Sequence, residues 1–137
     1  MNKEGLNKQV MQRFVEFINT ADIEIGKEII SEDAIFYAPI SPEPLHGLEG
    51  YMMILNMMRS GLPNVQWSVD EMIAEDKAVA VRFTLSATHT AHFMGIPPTG
   101  KAVRITCINF YHFADGKIIQ EEGLPDLFNL LQQIKES

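Results

Sequence analysis

The chain of 137 residues is 46% hydrophobic and 21% charged, the balance of one globular domain rather than of a disordered, fibrous or membrane chain. Its 11 Lys and Arg against 18 Asp and Glu leave a formal charge of -7, and no basic stripe exists to displace counterions from phosphates, so nucleic acid is not an expected partner. No window approaches the roughly 18 apolar residues of a membrane span, the amino terminus MNKEGLNKQ has no apolar signal region, and the single Cys107 forms no internal disulfide, so a cytoplasmic protein away from membranes is expected.

In chain order, Leu6, Val10, Phe14, Phe17 and Ile18 recur at helical spacing opposite Lys8, Arg13 and Glu16, which predicts an amphipathic helix over 3–19. Asn19-Thr20-Ala21-Asp22 breaks it, and Asp22 is placed to cap a shorter helix through Ile23, Ile25, Ile29 and Ile30. AIFYAP follows as a short strand ended by Pro39, and SPEPLHG reads as a loop. From Leu48 to Arg59 apolar residues surround most of the helix circumference, so this helix is expected to be buried on more than one side before Gly61-Leu62-Pro63 stops it. Met52, Met53, Met57, Met58 and Met72 lie in or near it, where thioethers either line an adaptable cavity or fill irregular gaps.

After Pro63 the apolar period changes to 2. Val65, Trp67 and Val69 alternate with polar residues, EDK turns the chain, and Val79, Val81, Phe83, Leu85 and Ala87 alternate again. Val103 to Phe113 makes another long strand, ADGK is a hairpin turn, and Ile118 to about Glu122 returns beside it. Pro125-Asp126 then precedes a closing helix from Leu127 to about Ile134. The order implies one segregated α+β domain over 1–137: a curved antiparallel sheet wrapped around the N-terminal helices, a cone with an internal pocket for a hydrophobic small molecule.

The combination of THTAHFMGIPPTGK (88–101), FADGKI (113–118) and LPDLFNLLQQI (124–134) resembles the SnoaL-like polyketide cyclases, members of the superfamily with the cone-shaped fold of nuclear transport factor two. The resemblance implies a homodimer packed sheet against sheet and an intramolecular aldol cyclisation of a polyketide ester that needs neither cofactor nor metal. It also implies a strand histidine ahead of the F-x-DGK turn and an aspartate just before the Pro-Asp motif. Here those positions hold Asn109 and Gly123, and neither side chain transfers a proton at neutral pH. Two functions therefore stay open: a cyclase-type lyase or isomerase with other proton-handling groups, or a non-catalytic small-molecule binder that keeps the cone.

The candidates for proton handling are His89, Glu122 and Asp126. His89 shares strand parity with Val81, Phe83, Leu85 and Ala87, so it stands in the cavity wall as a general acid/base or packs as a core histidine. Counting across ADGK with Asp115 and Gly116 as the turn residues sets Asn109 opposite Glu122, Tyr111 opposite Gln120 and Phe113 opposite Ile118. On that count Glu122 is the base and Asn109 a donor to a developing oxyanion, unless the two glutamates are only a solvated strand end. Asp126 either joins this chemistry or caps the closing helix. Tyr37, Tyr51, Trp67 and Tyr111 suit a pocket lining. Phe93 and Met94 sit in the stiff GIPPTGK turn, which either overhangs the cavity mouth or merely closes the end of the sheet. His89 and His92 have no third ligand at convincing spacing, so no metal site is expected.

Overall fold

A computed structural model describes residues 2–135. Helix α1 (Lys3–Thr20) begins at Asn2, whose side chain accepts from Gly5 N at 2.8 Å, and ends where Ala21 turns left-handed at φ 57°. Asp22 caps α2 (Ile23–Ile29) by accepting from Glu24 N at 3.0 Å, as its position in the sequence requires. The chain then runs through β1 (Ile30–Tyr37), a two-residue β2 (Leu45–His46) inside the expected loop, and α3 (Gly47–Gly61). Strands β3 (Gln66–Glu75), β4 (Ala78–Thr88), β5 (Ala102–Ala114) and β6 (Lys117–Pro125) follow, and α4 (Leu127–Lys135) closes the chain. Among the described residues no helix is long and apolar enough to cross a membrane.

The strands form one six-stranded sheet in the order β2-β1-β6-β5-β4-β3. Neighbours are antiparallel except β1 and β6, which run parallel because the α3 crossover and three hairpin-linked strands intervene between them. Alternation holds along β4: Val79, Val81, Phe83, Leu85 and Ala87 are buried while Arg82 is exposed. Those side chains meet Met11, Phe14 and Phe17 of α1 and Leu55 of α3 in a single core. The Phe14 ring sits at its centre, edge-on to Tyr51 and Tyr111 with centroids 5.2 and 5.3 Å away.

Side-chain amides stand where further strands would pair. Asn19 takes both Trp67 N (2.7 Å) and Trp67 O (2.9 Å) on the edge strand β3. Gln133 of α4 does the same for Arg104, at 2.9 Å each way, along the part of β5 that β6 has already left. Both contacts satisfy ladder groups that would otherwise template association.

The hairpin between β5 and β6 corrects one expectation on which much depends. Asp115 (φ 52°) and Gly116 (φ 76°) make the two-residue turn, and Phe113 pairs with Ile118, as counted. The next pair, however, is His112 with Gln120, so Ile119 is an extra residue and a β-bulge. From there the register is one residue off the simple count: Tyr111 faces Glu121, Phe110 faces Glu122 and Asn109 faces Gly123. Because side chains alternate across a sheet, this single residue sends Glu121 inward and Glu122 outward.

Candidate active site

Glu121 is 3% exposed, a carboxylate in the middle of an apolar core. Tyr51, on the first turns of α3, donates its hydroxyl to Glu121 Oε2 at 3.4 Å. Tyr111, the cross-strand partner of Glu121, is itself fully buried, and its hydroxyl oxygen accepts from Asn109 Nδ2 at 3.0 Å. Asn109 Oδ1 in turn accepts from Leu124 N at 3.2 Å, which fixes the orientation of the amide. α3 can bring Tyr51 this close because Gly50 presses on Leu45, where a Cβ would lie 3.0 Å from the Leu45 backbone.

Burial pushes the Glu121 carboxyl up to about 7, while the neighbouring Tyr111 and Tyr51 hydroxyls pull it back down. Burial also drives both tyrosines well above their ordinary range and Cys107 up to about 12, so these remain neutral hydrogen-bond donors at physiological pH. Among the titratable groups lining this space, Glu121 is the one that burial brings toward neutrality, the range in which general acid/base catalysis operates.

Glu121 opens onto a cavity of about 70 Å³. Its base is polar (Tyr51, Asn109, Glu121) and its wall is apolar (Ile54, Met58, Trp67, Leu85), with Cys107 between them. Ala38, Pro39 and Ile40 form one rim, and Pro125 and Leu127 the other. The space holds about two water molecules, too little for the hydrophobic small molecule that the cone was expected to take. Gly123 leaves a recess beside Asn109: a Cβ there would meet Asn109 Oδ1 only at ordinary contact, 3.5 Å. A wider groove of about 620 Å³ lies between α1 and the ADGK hairpin, lined by Lys3, Leu6, Lys77 and Phe113 among others, and contains no buried titratable group.

Asn109, Tyr51 and Trp67 therefore line the cavity, and Tyr111 stands directly behind it. The other candidates do not reach it. Glu122 is exposed, on the face opposite Glu121, and receives Gln120 Nε2 at 3.4 Å. Asp126 is exposed and accepts from Asn129 N at 3.2 Å, the capping role. His89 is fully buried yet outside the cavity wall: its Nδ1 accepts from Thr99 N at 3.3 Å and lies 2.9 Å from Thr99 Oγ1. It fastens the double-proline loop to the end of β4. Phe93 is buried behind α3, where a Cβ on Gly61 would lie 2.5 Å from Phe93 Cβ, while Met94 is 49% exposed. Tyr37 is 43% exposed, against the Ser41–Pro44 turn outside the cone. The methionines divide: Met58 lines the cavity, Met52, Met57 and Met72 pack on the core, and Met53 is exposed.

A curved sheet closed by helices around one buried carboxyl group defines a cone-shaped α+β protein with a small internal cavity. The profile of the SnoaL-like polyketide cyclases matches residues 8–134, and the chain belongs to that family. It is 24% identical over 128 residues to aklanonic acid methyl ester cyclase AcmA of Streptomyces galilaeus, covering 92% of this chain and 88% of that one. Its fold is that of a SnoaL-like protein from Jannaschia sp. CCS1 (TM-score 0.87, 20% identity, 100% of this chain and 96% of that one). IdmH from Streptomyces antibioticus is similar too (TM-score 0.84, 25% identity, 95% of this chain and 99% of that one).

Proposed function

We propose that this chain is a cofactor-independent cyclase acting on a polyketide-type ester, with Glu121 as its general acid/base. The observation that carries the reading is the buried Glu121 carboxyl, raised to about 7 at the base of a mostly apolar cavity. It stands on the inward face of β6 two residues before Gly123, where the family resemblance implies an aspartate, so the acid is displaced along the strand. In the reaction the Glu121 carboxylate removes a proton from a carbon flanked by carbonyls. The resulting enolate carbon forms a bond to a second carbonyl carbon of the same molecule, and that oxygen takes the proton back from Glu121. The product is an isomer of the substrate, and no oxidant or reductant is consumed. Asn109, with one amide N–H on Tyr111, has its second available to the enolate oxygen.

A polycyclic substrate needs several times the volume of the resting cavity, so the reading includes an outward movement of the Ala38–Ile40 rim against Pro125 and Leu127. It also includes a cytoplasmic homodimer. Support for the dimer lies on the outer sheet face, where Ile108 pairs with Leu124, and Ile73 and Phe110 flank Ala80 on either side; all four large side chains are at least half exposed.

Aklanonic acid methyl ester, the compound for which the Streptomyces galilaeus cyclase is named, is the first substrate to try. Conversion by the wild type is expected to fall by about 100-fold or more in Glu121→Gln, the usual worth of a general base. Glu122→Gln is expected to keep full turnover. Equal turnover in all three would refute the role of Glu121. The binder reading is favoured by Asn109 and Gly123 at the positions of the implied acid/base pair, and it predicts saturable binding without conversion in every variant.

A further inference from the structure

The hydrogen bonds behind Glu121 have a fixed direction, set from the backbone outward. The Leu124 N–H only donates, so Asn109 Oδ1 must accept it, and Asn109 Nδ2 is turned toward Tyr111. The Tyr111 oxygen accepts that N–H at 3.0 Å, which leaves the hydroxyl hydrogen to swing to another acceptor. Glu121 is the residue paired with Tyr111 across the β5–β6 ladder, and both are buried. We propose that Asn109 is a positioning residue for the base: by holding the Tyr111 oxygen as an acceptor, it aims the Tyr111 hydroxyl hydrogen at Glu121 and favours the ionised carboxylate. The inference rests on the reading of Glu121 as the acid/base.

Chains of this kind strengthen link by link, because an N–H pulling on a phenol oxygen makes its O–H a better donor. In keeping with that order, the Asn109 bond lowers the pKa of Tyr111, and Tyr111 lowers that of Glu121. The other titratable groups facing Glu121 are Tyr51 from α3 and Cys107 from β5, with Asp126 beyond Cys107 at the start of α4. None of them bonds to Asn109, so the Asn109 effect is expected to pass through Tyr111 alone. On this reading an amide in place of the implied histidine keeps a catalytic task, since it tunes the base instead of being one.

The test is a titration of the Glu121 carboxyl by carbon-13 NMR in protein labelled on glutamate, with the resonance assigned by its loss in Glu121→Gln. Tyr111→Phe is expected to raise the midpoint by about one half to one pH unit, the worth of one neutral hydrogen bond. Asn109→Ala should raise it by as much or less, and the double variant should go no higher than Tyr111→Phe alone. An unmoved midpoint in Asn109→Ala, or full additivity in the double variant, overturns the proposal. If Asn109→Ala does not fold, Asn109→Ser carries the same comparison, since serine is too short to reach Tyr111. Turnover plays no part in the titration. The expected shifts in a protein that converts no ester would uphold this inference and sink the cyclase reading, whereas turnover lost in Glu121→Gln with no shift in Asn109→Ala does the reverse.

Discussion

Glu121 is an acid whose charged form the fold opposes. Its folded midpoint of about 7 lies above the ordinary 4.5, so between those values the native state holds a proton that the unfolded chain has already lost. The corresponding stability is fully present below the ordinary carboxylate range and is lost as the pH rises through about 7. Glu121→Gln removes this dependence. The wild type is therefore expected to weaken relative to Glu121→Gln by roughly 3 kcal/mol between acid and mildly alkaline pH, read from urea unfolding at a series of pH values. A difference between the two proteins that stays constant with pH contradicts the buried, raised acid. This residue also shows where sequence reasoning stopped. Tyr51 and Trp67 were legible as pocket residues from their type and Asn109 from its place on the strand, whereas Tyr37, of the same type, lies outside; Glu121 and Glu122 differ by a single step of alternation. The step is decided by the bulge at Ile119, a device of sheet geometry that neighbouring Ile-Ile and Glu-Glu pairs do not announce.

Among the elements, α1 and the long strands followed from apolar period, and Asp22 and the Asp115-Gly116 turn followed from side-chain chemistry. The double-proline loop was different. Its stiffness was legible in Pro97, Pro98 and the glycines, but not its seat, because Phe93 packs on a helix end distant in sequence. His89, expected at the cavity, instead bonds the Thr99 end of the same loop, and Phe93 fills the space that Gly61 leaves open. Gly61→Ala places a methyl within 2.5 Å of Phe93 Cβ and 2.7 Å of His92 O, where backbone must give way. The overpacking outweighs the roughly 1 kcal/mol that alanine gains over glycine in a helix, for a net loss of about 1–2 kcal/mol. Chemical denaturation reads this directly, and an unchanged or raised midpoint would show the loop to be loosely seated.

At the scale of the whole molecule, segregated α+β architecture was readable from the order of helical and alternating segments. The parallel pairing of β1 with β6 and the small cavity were not, since both depend on how packed elements meet rather than on any one segment. The outer sheet face poses a separate question. Phe110 is 51% exposed at the middle of the apolar patch proposed to meet a second copy. Phe110→Glu is expected to shift a dimer to monomer in sedimentation or light scattering while leaving the fold intact, because the site is already exposed. A wild type that is monomeric at high concentration would remove the dimer from the reading. The catalytic reading turns on Glu121, and the most direct measurement is the pH dependence of kcat/KM for the converted ester, which reports the essential base of the free enzyme. It is expected to rise with pH to a plateau with its midpoint near 7, following the raised Glu121 carboxyl. A profile that is flat across neutrality, or one with a midpoint in the ordinary carboxylate range, contradicts Glu121 as the base.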